Sequence, residues 1–228
     1  KYIGFYDTEH NIMENRNSCL AAKNKMDYIA EVLCTLGLEV ELTSPSWTYN
    51  NTFYKGKKIQ LNNNILLVLC PTLPWTSYKL LKALSIVFSS FWLLFYLVCK
   101  TKEDESVIVY HSLWLSYPVY FAKKIIGFKF ILQVEEIYQD VKKHSRCLEK
   151  QEYKIINAAD KYIFSTEMLN ERVNLKNKPY SVIYGTYQVE EDLGVKVDDG
   201  KIHVVYAGTF DPRKGGALAA AAAEFLPE

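Results

Sequence analysis

The chain has 228 residues, of which 49% are hydrophobic and 23% charged, and its formal net charge is +1 at pH 7. This composition is typical of a globular α/β protein and excludes an intrinsically disordered chain. The small net charge argues against a broad nucleic-acid surface, so an anionic partner must bind local clusters of positive charge. The length allows one sizeable domain and part of a second.

The cysteines of this chain are odd in number and lack CxxC spacing. We therefore predict reduced core residues in a cytoplasmic protein, with neither a disulfide framework nor a zinc site. No signal peptide is visible, because a strand pattern begins at Tyr2. The five cysteines are Cys19, Cys34, Cys70, Cys99 and Cys147.

The N-terminal part of the chain predicts a first βα unit and the strand after it. Tyr2 to Tyr6 reads as a strand and is followed by a polar loop. A helix is predicted over Ser18 to Leu36, since apolar residues recur there at helical spacing, and Gly37 closes it. Val40 to Leu42 predicts the second strand.

An apolar helix follows the next predicted strand. Trp47 to Asn64 reads as an aromatic and Asn-rich connection, and Ile65 to Cys70 as a fully buried parallel strand. The helix is predicted over Ser77 to Lys100, and Ala83 to Cys99 carries no charge. This span is at the lower limit for crossing a bilayer. A core helix, a helix that dips into the membrane surface and a true span are the three interpretations; spanning is disfavoured because the flanking strands must share one sheet.

The rest of the chain continues the alternation of strands and helices. Six or seven βα units in succession predict an α/β fold with a doubly wound, Rossmann-like parallel sheet. The predicted elements are strand Val107–Tyr110, helix Ser116–Ile126 closed by Gly127, strand Phe128–Val134, helix Ser145–Ala159, strand Lys161–Phe164, a helix through Val173, and strand Tyr180–Gly185.

Polar residues stand where several predicted strands end, which is where open α/β sheets bind their ligands. Glu135 and Glu136 follow one strand, and His111 follows another. The two glutamates are either proton acceptors in a reaction or ordinary loop and helix-cap carboxylates. Arg16, in the loop after the first strand, is either a solvated cation or a contact to a ligand in the crevice.

The segment from Ile202 to Gly216 predicts a strand, a loop and the start of an Ala-rich helix, Ala217 to Phe225. The loop ends in Arg213-Lys214-Gly215-Gly216. Backbone amides, a helix N-terminus and fixed positive charge suit a phosphate or diphosphate. An ordinary strand-to-helix turn with two solvated cations has the same pattern.

This segment resembles the start of the donor-binding domain in glycosyltransferase family 4, whose members have the two-domain GT-B fold. Gly208 matches the family's strand-end glycine, and Lys214-Gly215 matches the Lys-Gly pair whose lysine contacts the nucleotide-sugar diphosphate. Thr209 stands where the family often has its first arginine, and Arg213 is the candidate for that charge. The resemblance implies a donor diphosphate site at Gly208, Thr209, Arg213, Lys214 and Gly215.

The resemblance also implies a domain organisation and an acceptor side. Residues 1–187 would form the acceptor-side domain, 188–200 a linker, and 201–228 the first strand and helix of a donor domain that needs about 100 more residues. The family often places a His-Asp or similar pair where Glu135 and Glu136 stand, which makes these two the candidate catalytic residues. Arg16 and His111 would contact the acceptor.

The function that the resemblance implies is sugar transfer from a nucleotide-sugar to a glycan or lipid-linked acceptor, in making a surface polysaccharide. The nucleotide-sugar is then a co-substrate, and neither metal nor another cofactor is expected. The alternative is a non-catalytic half that binds an acceptor or partner and needs a separate donor domain. A dinucleotide-binding protein is disfavoured because no G-x-G-x-x-G follows the first strand. We also expect peripheral contact of helix 77–100 with an anionic membrane, at the inner face of the cell membrane.

Overall fold

A computed structural model of the chain describes residues 1–8, 14–16, 19–45, 47–74, 77–138, 146–186, 199–200, 203, 205 and 215–225. Contacts between Cα atoms divide the chain into two compact units, Lys1–Tyr187 and Gln188–Glu228. The assignment of 188–200 to a linker and of 201–228 to a donor-binding domain stays a prediction.

Within the described ranges, eight β-strands of the first unit form one sheet. Each neighbouring pair of strands is parallel except the third and fourth, which form an antiparallel hairpin. The strands are β1 (Tyr2–Ile3), β2 (Val40–Ser44), β3 (Lys57–Asn62), β4 (Ile65–Leu69), β5 (Ser106–Tyr110), β6 (Lys129–Val134), β7 (Lys161–Phe164) and β8 (Tyr180–Val182).

Helices cover both faces of this sheet. They are α1 (Leu20–Thr35), α2 (Lys79–Lys100), α3 (Leu113–Ile126), α4 (Arg146–Ala158) and α5 (Glu167–Val173), and the second unit has α6 (Gly216–Ala222) and a 3₁₀ turn, Ala223–Phe225. Alternate strand residues face opposite sides. Tyr2 and Ile108 pack with Met26 of α1 on one side. Ile3 and Val109 pack with the helices from α2 to α5 on the other.

The strand order confirms the predicted fold class. Across the sheet the order is β3-β4-β2-β1-β5-β6-β7-β8. Without the hairpin strand β3, the parallel strands follow the order 3-2-1-4-5-6-7, which begins as the doubly wound Rossmann sheet does. The order reverses between β1 and β5, and ligands of such sheets bind at the carboxyl ends of the strands beside this switch point. We call that side of the sheet the carboxyl edge; Gly4, His111 and Glu135 directly follow β1, β5 and β6 there.

The strand β3 was missed by the sequence analysis, which interpreted 47–64 as a connection. This strand lies at the edge of the sheet, and most of its residues are exposed. A solvated edge strand needs no apolar alternation, so its sequence lacks the pattern that identifies buried strands.

The prediction that the five cysteines are core residues is wrong for most of them. All five are free thiols, but only Cys70 is buried, whereas Cys19, Cys99 and Cys147 are exposed and Cys34 is partly exposed. The four outside the core lie at or next to the ends of α1, α2 and α4. Cys19, Cys99 and Cys147 therefore reach solvent, whereas Cys34 packs against the rim of the core on the α1 side of the sheet.

The apolar helix α2 has one buried face and one exposed face. It is 22 residues long with a mean hydropathy of 1.9, enough by length and composition to cross a membrane, and 22% of this apolar stretch is buried. Ser85, Ser89 and Leu93 are among the residues on its inner face. Because β4 and β5, at its two ends, belong to one sheet, α2 lies along that sheet. Large apolar side chains on its outer side, among them Leu80, Phe91 and Phe95, are exposed.

Substituting Gly4 tests the packing at the switch point. A Cβ added at Gly4 would meet the Met26 sulfur and lie 3.2 Å from Tyr110 Cβ, whereas one added at Gly185 meets nothing within 4 Å. We expect Gly4→Ala to lower the free energy of unfolding by about 1–3 kcal/mol, as overpacked core sites do. Gly185→Ala should change it by less than about 0.5 kcal/mol. Urea unfolding followed by circular dichroism measures both, and equal small changes would show that β1 tolerates a side chain there.

Candidate functional site at the carboxyl edge

Glu135, directly after β6, is held by groups from β6 itself, from α1 and from the residue that follows β7. Gln133 Nε2 donates to its Oε1 over 2.6 Å, and Lys25 Nζ lies 3.4 Å from its Oε2. Ser165 Oγ, after β7, donates to the Glu135 carbonyl oxygen over 3.0 Å. The Glu135 side chain keeps 22% of its surface exposed. Its carboxylate is thus fixed in position yet partly open to solvent.

Lys25 is a buried cation on the inner face of α1. Besides Glu135, its Nζ donates to the carbonyl oxygens of Ile183 over 2.6 Å and of Tyr184 over 2.5 Å. A charge taken out of water is tolerated only when such partners surround it. Lys25 therefore joins α1, the end of β6 and the chain that follows β8.

A buried phenol sets the orientation of Gln133. The Tyr2 hydroxyl donates to Gln133 Oε1, and both side chains are fully buried. Burial raises the pKa of Tyr2 well above its ordinary value, so the phenol remains a donor. With its oxygen bound to Tyr2, the Gln133 amide presents its NH₂ group to Glu135.

Glu136 differs from its neighbour in being exposed. Among the residues that the structure describes, no hydrogen bond or ion pair engages its carboxylate. Burial first, and then the negative charge of Glu136, raise the pKa of Tyr138 to about 12. Burial and the charge of Glu135 raise the pKa of Tyr110 as well. Two neutral phenols therefore lie near Glu135 and Glu136.

His111 forms a buried pair with Glu152 of α4. Its Nε2 lies 2.9 Å from Glu152 Oε1, and the same oxygen accepts from the Tyr138 amide over 2.9 Å. The Tyr138 hydroxyl donates in turn to the His111 carbonyl oxygen over 2.9 Å. His111 Nδ1 is buried and has no hydrogen-bond partner within the described part of the chain. His111 thus fixes the loop that carries Glu136 and Tyr138 onto α4.

The sequence analysis missed Glu152 and Lys25. Glu152 precedes Ile155 and Ile156 by three and four residues, and all three are buried on α4. Lys25 lies between Ala22 and Ile29 on the buried face of α1. A charged residue at a position that helical spacing assigns to the core was the available signal for both.

Arg16 lies on the β2 and β4 side of the carboxyl edge. Its side chain is fully buried, 3.9 Å from Glu14 Oε2, and its guanidinium lies 4.5 Å from the centre of the Tyr54 ring. None of its side-chain nitrogens donates a hydrogen bond to a described residue. The solvated-cation interpretation is therefore wrong. The acceptor contact stays a prediction.

The predicted donor site belongs to the second unit, and Gly215 is the one residue of this site that the structure describes. Gly208, Thr209, Arg213 and Lys214 lie outside the described residues. Gly215 has a left-handed backbone with a φ of 78° and immediately precedes α6. Within the described ranges, no group of three or more His, Cys, Asp or Glu side chains could hold a metal ion.

Comparisons with known proteins find similarity among solved structures only. No protein-family model and no curated protein matches the chain. Among solved structures, an alpha,alpha-trehalose 6-phosphate synthase from Burkholderia multivorans matches with a TM-score of 0.46 and 12% identity. The match covers 76% of this chain and 41% of that one, so this chain spans less than half of that protein's length. We draw no function from so distant a likeness, and the fold class stands on the observed strand order.

Replacing Lys25 tests whether this buried cation holds the site together. Lys25→Met leaves two carbonyl oxygens and Glu135 without their donor, so we expect a loss of about 3–5 kcal/mol in the free energy of unfolding. The control is Lys23→Met on the same helix, where the part-buried ion pair to Asp27 spans 2.8 Å and its loss should cost about 1 kcal/mol. Urea unfolding of both variants gives the comparison. Similar losses would show that Lys25 is no more than a surface cation.

Proposed function

We propose that the protein is a glycosyltransferase, or the acceptor-binding half of one, that transfers a sugar from a nucleotide-sugar to an acceptor hydroxyl. The observation that carries the proposal is the pair of carboxylates beside the switch point, Glu135 fixed by Lys25 and Glu136 exposed. The resemblance of Gly208 and Lys214-Gly215 to the family 4 donor site supports the choice of donor.

The chemistry of the transfer assigns different roles to the two glutamates. The bond from the anomeric carbon to the diphosphate breaks, and its electron pair leaves on the nucleoside diphosphate. The acceptor oxygen forms the new bond to that carbon and loses its proton. Glu136 accepts this proton and passes it to solvent, because its carboxylate is exposed and has no partner among the described residues. Glu135, held on both oxygens, positions the strand end.

The donor diphosphate is bound, in this proposal, by Lys214 and Arg213 with Gly208, Thr209 and Gly215. Fixed cations and a helix N-terminus stabilise the negative charge that develops on the leaving group, so the proposal includes no metal. Arg16 and His111 belong to the acceptor side, where His111 acts by holding the loop of Glu136. The proposed setting is surface polysaccharide synthesis at the cytoplasmic face of the cell membrane.

Replacing Glu136 tests its proposed role. The protein is assayed with a series of nucleotide-sugars. Glu136→Gln should lower kcat by about 100-fold or more, as loss of a general base does. The control is Glu149→Gln, which changes an exposed glutamate on α4 and should leave kcat unchanged. Equal rates for the two variants would remove Glu136 from the mechanism. Binding of an acceptor without turnover by the unaltered protein would favour the non-catalytic alternative.

The donor site is tested by a second pair of variants. Lys214→Ala should lower kcat/KM, because the transition state loses the contact of a charged ammonium group with phosphate, about 1.5–3 kcal/mol. Thr209→Ala removes a neutral hydroxyl and should cost about 1 kcal/mol. Steady-state kinetics with the donor varied gives both values. Equal, small losses would indicate that the loop is a structural turn.

A further inference from the structure

The first six residues of α2 extend beyond the body of the sheet. Residues 79–84 are all exposed, whereas the buried positions of α2 begin at Ser85. Ser85 Oγ donates to the Pro74 carbonyl oxygen over 3.0 Å, and Pro74 lies in the loop after β4, at the carboxyl edge. At a rise of 1.5 Å per residue, 79–84 project about 9 Å past that point. We call residues 79–84 the overhang.

The contacts further along α2 fix its direction. Trp47 Nε1, in the loop after β2, donates to Ser89 Oγ over 3.0 Å, and the Tyr96 hydroxyl donates to Glu41 Oε1, within β2, over 3.0 Å. The helix thus passes from the carboxyl edge back along the sheet. The overhang therefore stands at the carboxyl edge, the same edge of the sheet as the candidate site.

Large apolar side chains cover the overhang and its surroundings. Tyr78 is 74% exposed, Leu80 73%, Leu84 48%, and Trp114, in the first turn of α3, 54%. The helix α3 also begins at the carboxyl edge, directly after His111 and Ser112, and packs beside α2. Large apolar side chains exposed together at one edge of the sheet favour an interaction site there.

The charges around this surface select the partner. The overhang carries two lysines, Lys79 and Lys82, and neither α2 nor α3 contains Asp or Glu. Lys55 and Lys58 are exposed nearby, because β3 begins opposite the end of β4. A second copy of the chain would bring like charges together, which disfavours self-association. An apolar patch with Tyr, Trp and lysines suits the interface of an anionic bilayer.

We propose that the overhang, with Tyr78 and Trp114, inserts into the headgroup region of an anionic membrane. The carboxyl-edge crevice then opens at the bilayer surface. This inference rests on the proposed function and adds the class of acceptor. The acceptor is a sugar linked to a lipid, and its reactive hydroxyl reaches the carboxyl edge from the membrane.

The test is flotation of the 228-residue chain with lipid vesicles, at low and at high salt. One vesicle type contains phosphatidylcholine with phosphatidylglycerol, the other phosphatidylcholine alone. Leu80→Glu/Leu84→Glu alters the overhang, and Phe91→Glu/Phe95→Glu is the control. The control residues are 67% and 69% exposed and lie three turns along the same helix face, about 16 Å from the overhang residues. Circular dichroism confirms that each variant is folded.

We expect the unaltered chain to bind anionic vesicles at low salt, with at least about tenfold weaker binding for the overhang variant and little change for the control. Four results would overturn the proposal. These are no binding to either vesicle, equal loss in both variants, binding that resists high salt and alkali as a span does, and self-association without lipid that the overhang variant abolishes.

The acceptor class is tested apart from membrane binding. The protein is assayed with two acceptors, a lipid-linked sugar in vesicles and the same sugar free in solution. Transfer to the lipid-linked form, reduced at least about tenfold by Leu80→Glu/Leu84→Glu, supports the inference. Membrane binding with transfer only to the free sugar contradicts the acceptor class. Membrane binding without any transfer leaves the docking surface standing and rejects the proposed function.

Discussion

One buried ammonium group, Lys25 Nζ, connects the parts of the first unit that form the candidate site. A lysine without water is stable only when acceptors replace its hydration. Here the acceptors are Glu135 and the carbonyl oxygens of Ile183 and Tyr184. Because they come from β6 and from the chain after β8, the cation fixes both relative to α1. The Tyr2 and Gln133 bonds extend the same network under the switch point.

The carboxyl edge combines groups of opposite character on its two sides. On the β5 and β6 side, carboxylates and neutral phenols gather around Glu136, and the His111–Glu152 pair fixes their loop to α4. On the β2 and β4 side, Arg16 lies buried over the Tyr54 ring, and the apolar overhang of α2 follows. The proposed function and the proposed membrane contact together call for an acceptor that is part sugar and part lipid.

The sequence predicted the architecture better than the site. Continuous apolar runs such as Ile65 to Cys70 identified the central strands because both faces of those strands are buried. Gly127 ends α3, as predicted, and its φ of 91° is one that glycine adopts readily. The polar pairs could not be predicted, since Lys25 and Glu135 are 110 residues apart and His111 and Glu152 are 41. Periodicity assigns residues to a face, but it does not identify which residues meet across the sheet.

Hydrogen–deuterium exchange of the encoded protein, with and without a nucleotide-sugar and a lipid-linked acceptor, tests most directly whether the carboxyl edge is the ligand site. We predict that ligands slow amide exchange at the loops that follow β1, β5 and β6, including residues 111–115 and 135–138. Exchange at the opposite edge, in residues 36–39 and 101–105, should not change. Slowed exchange confined to that opposite edge, or no change anywhere in residues 1–186, would contradict a ligand crevice at the β1 and β5 switch point.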